Sequence, residues 1–311
     1  MAESCSDTRT DFIQLRDGRR LAFTERGDPD GVPIIHQHGM PGSRLDHEAD
    51  SEFYRALGVR VITPDRPGYG LSEPHHHRHL VDWPLDVLEL ADRLGVPRFG
   101  ITSLSGGGIY ALACAAAIPD RLIEVAVTGC PGPMQRHGAL QDTRLLTRAG
   151  VWLGSHVPWL LDGGASLLAR LVRRYPRYFV DRSNRDKPPS DLRWMSMPSV
   201  RTGAAETLRE ALRQGAGGYV EDIRVLANPW GFALDGIRVP VHLWHGDLDT
   251  VIPLSHGKYL ASVIPHATLT VCPGEAHLLM WNHLAEVLLQ ASGACHSTEG
   301  SFDPARMLAA S

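Results

Sequence analysis

The stretch "SLSGGG", Ser103–Gly108, follows the short apolar segment "RFGIT" and opens the pattern "GGGIYALACAAAIP". The first segment is typical of a buried strand, and the apolar spacing of the second predicts a helix. A serine hydroxyl is a weak nucleophile unless a constrained turn presents it beside a base and backbone N–H groups. A strand-to-helix turn supplies that geometry, and Ser105 lies at this point of the pattern.

The spacing of small residues around Ser105 is a variant of Gly-x-Ser-x-Gly, with Ser103 and Gly107 at the two flanking positions. Such a tight turn needs small residues two places before and after the nucleophile, so only the first glycine is absent. The alternative is that Ser105 is a hydroxyl in a glycine-rich helix entry. Ser103 is the competing serine, and its place at the strand end predicts that it faces the packing.

Strands and helices alternate on both sides of this motif. "DFIQLRDGRRLAFTERG" predicts two strands joined at an Asp17-Gly18 turn. The following apolar runs read as strands that are buried on both faces, with helical patterns between them. Such alternation predicts an α/β fold with a mainly parallel sheet flanked by helices. The runs are "VPIIHQHG", "VRVITPD", "RFGITS" and "IEVAVTG", and the helical patterns are "DWPLDVLELADRLG" and "GGIYALACAAAIPD".

The alternation breaks after Cys130 and returns with "VPVHLWHG" and "ATLTVCPG". The stretch between contains only helical segments: "LLTRAGVWLG", "ASLLARLVRRYPRYF" and "AAETLREALRQG". We therefore predict an α/β core in two parts, with an inserted α-helical cap or lid and a flexible C-terminal tail. The predicted ranges are 1–130 and 237–292 for the core, 131–236 for the cap and 293–311 for the tail.

A base and an acid are expected at the ends of later strands. "WHGDLDTVIP" places Asp247 and Asp249 directly after one strand, and "VCPGEAHLLMW" places His277 in a loop after the next. The carboxyl edge of parallel strands is where α/β proteins build their sites. The chain order Ser, Asp, His matches that of α/β-hydrolase sheets. Composition alone does not decide between the two aspartates.

Four segments together resemble the α/β-hydrolase fold superfamily over about residues 12–291: "HQHGMPGSR", "PDRPGYGLS", "SLSGGG" and "HGDLDTVIP" followed by "GEAHL". The resemblance implies that Ser105 is the nucleophile, His277 the general base and Asp249 its orienting acid. It also implies an oxyanion hole made by the backbone N–H groups of Met40 and Gly106. The serine that replaces the first elbow glycine is the departure from the family pattern.

The resemblance leaves the reaction open. Ser105 excludes the aspartate nucleophile of the epoxide hydrolases and haloalkane dehalogenases of this superfamily. We expect a serine esterase that cleaves a carboxylic ester or lactone of a small, largely apolar substrate through an acyl-enzyme. The alternatives are carbon–carbon bond hydrolysis, proline iminopeptidase-like cleavage, peracid formation, and a small-molecule receptor that retains the triad. None of these needs a metal or an organic cofactor.

Candidate substrate-binding residues flank the catalytic positions or lie in the cap. They are His38, Leu104, Trp152, Trp159 and Trp230. The competing interpretation is that at least half of the cap tryptophans belong to the cap core, and that His38 braces its loop through hydrogen bonds.

Composition limits the partners and the compartment. A formal net charge of -4 gives no basic face for nucleic acid, so we expect a small-molecule substrate. The polar N-terminus lacks the apolar region of a secretory signal, and no stretch approaches the roughly 18 to 20 apolar residues of a membrane span. The five scattered cysteines are typical of a reduced compartment. We expect a cytoplasmic protein without membrane contact, and a homodimer stays open.

The run "HHHRH", His75–His79, raises the question of a metal site. It lacks a spaced carboxylate or cysteine partner and falls in a predicted loop before a helix. We interpret it as a solvated loop.

Overall fold

The computed structural model describes residues 9–46, 49–141, 143 and 145–294. Within these ranges, the side chains of residues 146 and 158–161 are not described. Most of the predicted tail, from residue 295 on, lies outside the described residues. The described residues form one eight-stranded sheet in the order β1-β2-β4-β3-β5-β6-β7-β8. The strands are β1 Thr10–Gln14, β2 Arg20–Gly27, β3 Val32–Gln37, β4 Val59–Pro64, β5 Phe99–Leu104, β6 Leu122–Thr128, β7 Val241–Gly246 and β8 Ala267–Cys272.

The first two strands form the predicted hairpin. β1 pairs antiparallel with β2 from Thr10↔Thr24 to Gln14↔Arg20, and Gly18 has a φ of 90° in the turn. β2 joins the sheet antiparallel to β4, and every later pairing is parallel. The predicted α/β class with a mainly parallel sheet is therefore confirmed. Since the parallel strands end at one edge, the residues that follow them converge there.

Helices flank this sheet on both faces. Side chains of α2, α3 and α10 share one hydrophobic core with the sheet, and side chains of α1 and α11 share another on the opposite face. α3, which follows β5 directly, is buried along almost its whole length, so its N-terminus is held rigidly. The helices are α1 Ser51–Ala56, α2 Trp83–Arg93, α3 Gly107–Ala117, α4 Leu145–His156, α5 Pro158–Arg174, α6 Pro176–Ser183, α7 Pro189–Met195, α8 Pro198–Ala211, α9 Gly217–Ala227, α10 Leu254–Val263 and α11 Leu284–Ala291.

The described residues between β6 and β7 form the helices α4 to α9 and contain no strand. One predicted helical segment, "ASLLARLVRRYPRYF", is divided in the structure. α5 ends at Arg174 and α6 begins at Pro176, because proline lacks the N–H that an unbroken helix needs and fits the first turn of a new one.

Polar contacts fasten the C-terminal half of this helical insertion to the core. Asp191 of α7 accepts a hydrogen bond from the Leu278 N–H at 2.9 Å, directly beside His277. Glu210 of α8 accepts one from Arg44 at 2.8 Å. These contacts place the insertion over the carboxyl edge of the sheet. Among the described helices, none has the length and apolar character that a membrane span requires.

Candidate active site

Ser105 occupies a sharp turn between β5 and α3. Its φ is +54°, a left-handed conformation that costs a non-glycine residue about 1–2 kcal/mol. Its N–H donates to the Thr128 carbonyl at 2.8 Å, which ties the turn to the end of β6. A methyl group on Gly107 would lie 2.1 Å from the Gln37 carbonyl oxygen, so only glycine permits this close approach. The turn has the strained geometry of a nucleophile elbow.

Ser103 is the other serine of the motif. It is fully buried within β5, and its Oγ has no hydrogen-bond partner among the described groups. Its side chain therefore faces the packing, as its place at the strand end predicts.

Asp249 and His277 meet at the ends of β7 and β8. Asp249 Oδ2 lies 2.8 Å from His277 Nδ1, and Asp249 Oδ1 accepts the N–H groups of Val251 and Ile252 at 2.8 and 2.9 Å. Burial raises the pKa of Asp249, but the charge and hydrogen bond of His277 outweigh it and hold the pKa below its usual value. The exposed Asp247 instead accepts the Gly274 N–H at 2.7 Å, which ties the two loops together.

Gly129 links this pair to the serine turn. A methyl group on Gly129 would lie 3.2 Å from His277 Nδ1 and 3.4 Å from Asp249 Oδ2. The preceding residue, Thr128, accepts the hydrogen bond from Ser105. The three predicted triad residues thus surround the end of β6. Gly129 was not among the predicted site residues, although a glycine directly after the apolar run "IEVAVT" is a sign of close backbone approach.

Met40 and Gly106 are neighbours in the structure. A methyl group on Gly106 would lie 2.7 Å from Met40 Cβ, so the loop after β3 lies against the residue that follows Ser105. The loop is fixed at Gly39, whose N–H donates to Asp46 Oδ2 at 2.9 Å. The Gly39 carbonyl oxygen lies 2.8 Å from Arg66 Nη2 and 2.9 Å from His38 Nδ1.

The chain is similar to known proteins over most of its length. A family model described as the alpha/beta hydrolase fold matches residues 32–284. The chain belongs to the α/β-hydrolase fold family. The resemblance inferred from the four sequence segments is therefore confirmed.

Named relatives of this α/β hydrolase carry several activities. A proline iminopeptidase of Xylella fastidiosa (strain 9a5c) is 25% identical over an aligned length of 301, and the match covers 86% of this chain and 90% of the relative. A bifunctional esterase/perhydrolase of Acinetobacter calcoaceticus is 24% identical over 276 residues, with 86% and 92% coverage. The crystal structure of an epoxide hydrolase from Vigna radiata has a TM-score of 0.70 at 18% identity, covering 95% of this chain and all of that one, a likeness of fold alone.

His38 and Leu104 are buried in this hydrolase. His38 is fully buried, and its Nε2 accepts the Arg66 N–H at 3.1 Å, so Nδ1 carries the proton and donates to Gly39. Burial, followed by the Arg66 charge, holds the pKa of His38 well below its usual value. No ring nitrogen is left for the predicted substrate contact. The Leu104 side chain packs in the core cluster that contains Trp244 and Met280.

The predicted cap tryptophans are not brought together. Trp152 is 55% exposed and stacks on His156, whereas Trp230 is 5% exposed and packs beside Phe232 in the main core. The Trp159 side chain lies outside the described residues. None of the contacts described for the first two reaches the triad, so a pocket role for the three stays a prediction.

A buried charge cluster joins α9 to the loops of the site. Asp222 Oδ2 accepts from Arg66 and Tyr69, both at 2.8 Å, and Asp222 Oδ1 accepts from Tyr110 at 2.5 Å and from Arg78. Burial raises the pKa of Asp222, but the two arginines outweigh it and keep the pKa below its usual value. The sequence offers one signal for this residue, a carboxylate within the apolar pattern "YVEDIRVLA".

Arg78 corrects the interpretation of "HHHRH" as a wholly solvated loop. Its side chain is 2% exposed because it fills the cluster around Asp222, while the residues on either side of it are exposed. In the described part of the chain, no group of three or more His, Cys, Asp or Glu side chains is arranged to hold a metal.

Proposed function

We propose that this protein is a serine hydrolase that cleaves a carboxylic ester or lactone of a small, largely apolar substrate through an acyl-enzyme. One observation carries the proposal. Ser105 lies on a left-handed turn that is bonded to the end of β6, and the hydrogen-bonded pair Asp249–His277 lies against the next residue, Gly129. A nucleophile, a base and an orienting acid in this relation constitute the machinery of acyl transfer.

The roles follow from the chemistry of each group. Ser105 Oγ attacks the substrate carbonyl carbon while His277 Nε2 takes the hydroxyl proton. Asp249 holds the proton on Nδ1 and stabilises the imidazolium that forms. The N–H groups of Met40 and Gly106 donate to the tetrahedral oxyanion.

His277 then gives its proton to the departing alcohol, and the acyl group stays on Ser105. Water attacks this acyl-enzyme and loses a proton to His277. His277 returns that proton to Ser105 Oγ as the bond to the acyl carbon breaks, which releases the carboxylic acid and the free serine. The proposal includes no metal and no organic cofactor.

Residues 131–236 act, in this proposal, as a cap that sets access and acyl preference. Its support is the position of α7 and α8 on the loops of the site, through Asp191 and Glu210. Lids of this kind exclude water and select substrate shape. Trp152, Trp159 and Trp230 are the cap residues proposed to contact the acyl group, and substitutions at the three that leave acyl preference unchanged would count against this part of the proposal.

The proposal is tested by labelling with a fluorophosphonate, followed by a screen of p-nitrophenyl esters from acetate to decanoate. We expect covalent labelling at Ser105 and multiple turnovers on at least one ester, both lost in Ser105→Ala. Slow single-turnover acylation, with a ligand-dependent rise in melting temperature, would indicate a receptor instead. Labelling that survives Ser105→Ala and is lost in Ser103→Ala would make Ser103 the nucleophile.

The second candidate is removal of an N-terminal proline from a peptide. It is favoured by the proline iminopeptidase relative, which matches this chain over 86% of its length. L-Proline p-nitroanilide belongs in the same screen. A kcat/KM on that amide above the value for every ester would make peptide cleavage the preferred function.

A further inference from the structure

The Gly39–Met40 peptide unit carries one of the two N–H groups of the proposed oxyanion hole. The N–H and C=O of a trans peptide are fixed in one plane and point in opposite directions. Whatever holds the Gly39 carbonyl oxygen therefore also aims the Met40 N–H. Two buried donors hold it, Arg66 Nη2 at 2.8 Å and His38 Nδ1 at 2.9 Å.

We infer that Arg66, anchored by Asp222 of the helical insertion, is a positioning residue for the Met40 N–H of the oxyanion hole. The inference rests on the proposed function. It adds a residue that touches neither substrate nor nucleophile, and it gives the insertion a part in the chemical step.

Arg66 is itself fixed on every side. Its side chain is fully buried, and it donates to the carbonyl oxygens of His38 at 2.5 Å and Gly39 at 2.8 Å. Two more of its N–H groups donate to Asp222 Oδ2, at 2.8 Å from Nη2 and 3.3 Å from Nε. The Tyr110 ring lies 4.6 Å from the guanidinium carbon. A planar fork held by two carbonyls and a carboxylate leaves the Gly39–Met40 peptide plane little freedom.

The charge on Arg66 has a second effect on the same peptide. A cationic donor at the carbonyl oxygen polarises the amide, and hydrogen bonds arranged in a chain strengthen one another. The Met40 N–H is therefore a better donor to an oxyanion when Arg66 is bonded to Gly39.

Asp222 belongs to α9, so the insertion supplies the anchor of this arrangement. The core contributes both cations, Arg66 and Arg78, and Asp222 lies between them with a fully buried carboxylate. Docking of α9 on the core and orientation of the Met40 donor are thus parts of one hydrogen-bonded network.

The test compares Arg66→Gln with Arg78→Gln. Each substitution removes one of the two cations that face Asp222, so each leaves one arginine paired with one carboxylate. Arg78 donates to the Pro67 carbonyl, Asp222 and Tyr110 and makes no described bond to residues 38–40, which makes it a matched control for charge and burial.

We expect Arg66→Gln to lower kcat on the preferred p-nitrophenyl ester by about tenfold to a hundredfold, less than the 10²–10³ of deleting a whole oxyanion-hole donor. KM should change by less than about threefold, because the substrate contacts themselves are intact. Arg78→Gln should keep kcat within about threefold at a similar loss of melting temperature. Arg66→Lys, which keeps the charge and loses the fork, should fall between wild type and Arg66→Gln.

The ratio of activity on an oxygen ester to activity on the matching thionoester distinguishes a positioning role from a merely structural one, because a general loss of stability would not change this ratio. Sulfur is a weak hydrogen-bond acceptor, so a working oxyanion hole prefers the oxygen ester to the thionoester. Arg66→Gln should reduce that preference, and Arg78→Gln should retain it. If Arg66→Gln does not fold, the same comparison is made with Arg66→Lys.

Two outcomes overturn the inference while leaving the proposed function intact: parallel losses of kcat in the two glutamine variants, or an unchanged oxygen-to-sulfur preference in both Arg66 variants. Failure of the wild-type protein to react with fluorophosphonate is a separate result, because it refutes the serine mechanism on which the inference rests.

Discussion

Replacing Asp249 by asparagine tests the identity of the triad acid. In the structure Asp249 Oδ1 accepts two backbone N–H groups, from Val251 and Ile252, and Oδ2 faces His277 Nδ1. An asparagine amide has one acceptor and one donor end. Its oxygen must face the two N–H donors, since the opposite orientation would set an NH₂ group against them.

The NH₂ group of the substituted side chain then points at His277 Nδ1, which has to accept a hydrogen bond and give up its proton. The proton moves to Nε2, the atom that takes the proton of Ser105, and the histidine no longer serves as base. We expect kcat to fall by up to roughly 10⁴-fold, the effect that the same change of aspartate to asparagine has in a serine protease. Loss of the charge-assisted bond should cost about 1–2 kcal/mol of unfolding free energy.

Asp247→Asn is the matched control, because it lies two residues away in the same loop. The Asp247 side chain is exposed, and an asparagine oxygen can still accept the Gly274 N–H. We expect near-normal kcat and a stability change below about 1 kcal/mol. Steady-state kinetics on one ester and thermal melts of both variants decide the matter. A nearly active Asp249→Asn beside an inactive but well-folded Asp247→Asn would refute the assignment.

Three further predictions concern the same region. The unfolding free energy of Ser105→Gly should exceed that of Ser105→Ala by about 1 kcal/mol, because glycine tolerates the positive φ. Equal melting temperatures of the two variants would mean that the turn is unstrained. Ser103→Ala, measured in parallel, should stay active. Gly107→Ala should cost at least about 3 kcal/mol or prevent folding, since its methyl group would collide with the Gln37 carbonyl, and a soluble variant with wild-type melting would contradict this close approach. The lowered pKa of Asp249 stabilises the fold above the carboxyl's unfolded pKa of about 4, and this contribution is lost as pH falls through the lower folded value. The difference in unfolding free energy between wild type and Asp249→Asn should therefore stay level above about pH 5 and shrink as the pH falls below that value in denaturant titrations. A difference that stays constant down to about pH 2 would contradict the shift.

The sequence was sufficient for the sheet and for the approximate place of the site because both depend on local patterns. Apolar runs bounded by glycine and proline locate the parallel strands, and Ser105, Asp249 and His277 each follow such a run. Strand ends meet at one edge whatever the connecting segments do. The proximity of these residues could therefore be predicted without any knowledge of the packing of the helices.

The surroundings of the site depend on packing between distant segments, and the sequence carries little sign of that. Asp222 meets Arg66 across a separation of 156 residues, and nothing local to "HHHRH" distinguishes the buried Arg78 from its exposed neighbours. The same holds for Trp152 of α4 and Trp230 of the loop after α9, of which one is exposed and the other buried. The burial of each ring is determined by the segments that pack against it, which its local sequence does not specify.

The placement of Asp222 also bears on how caps are exchanged between hydrolases. The helices α4 to α9 form one continuous insertion between β6 and β7, so the segment can be exchanged as one unit when chimeras are built. A replacement that covers Arg66 and Arg78 but lacks Asp222 would leave them buried without the carboxylate they share, and breaking a buried pair in this way costs about 3–5 kcal/mol. A donor cap grafted onto this core therefore has to bring a carboxylate to the position of Asp222, or the recipient has to lose one of its arginines.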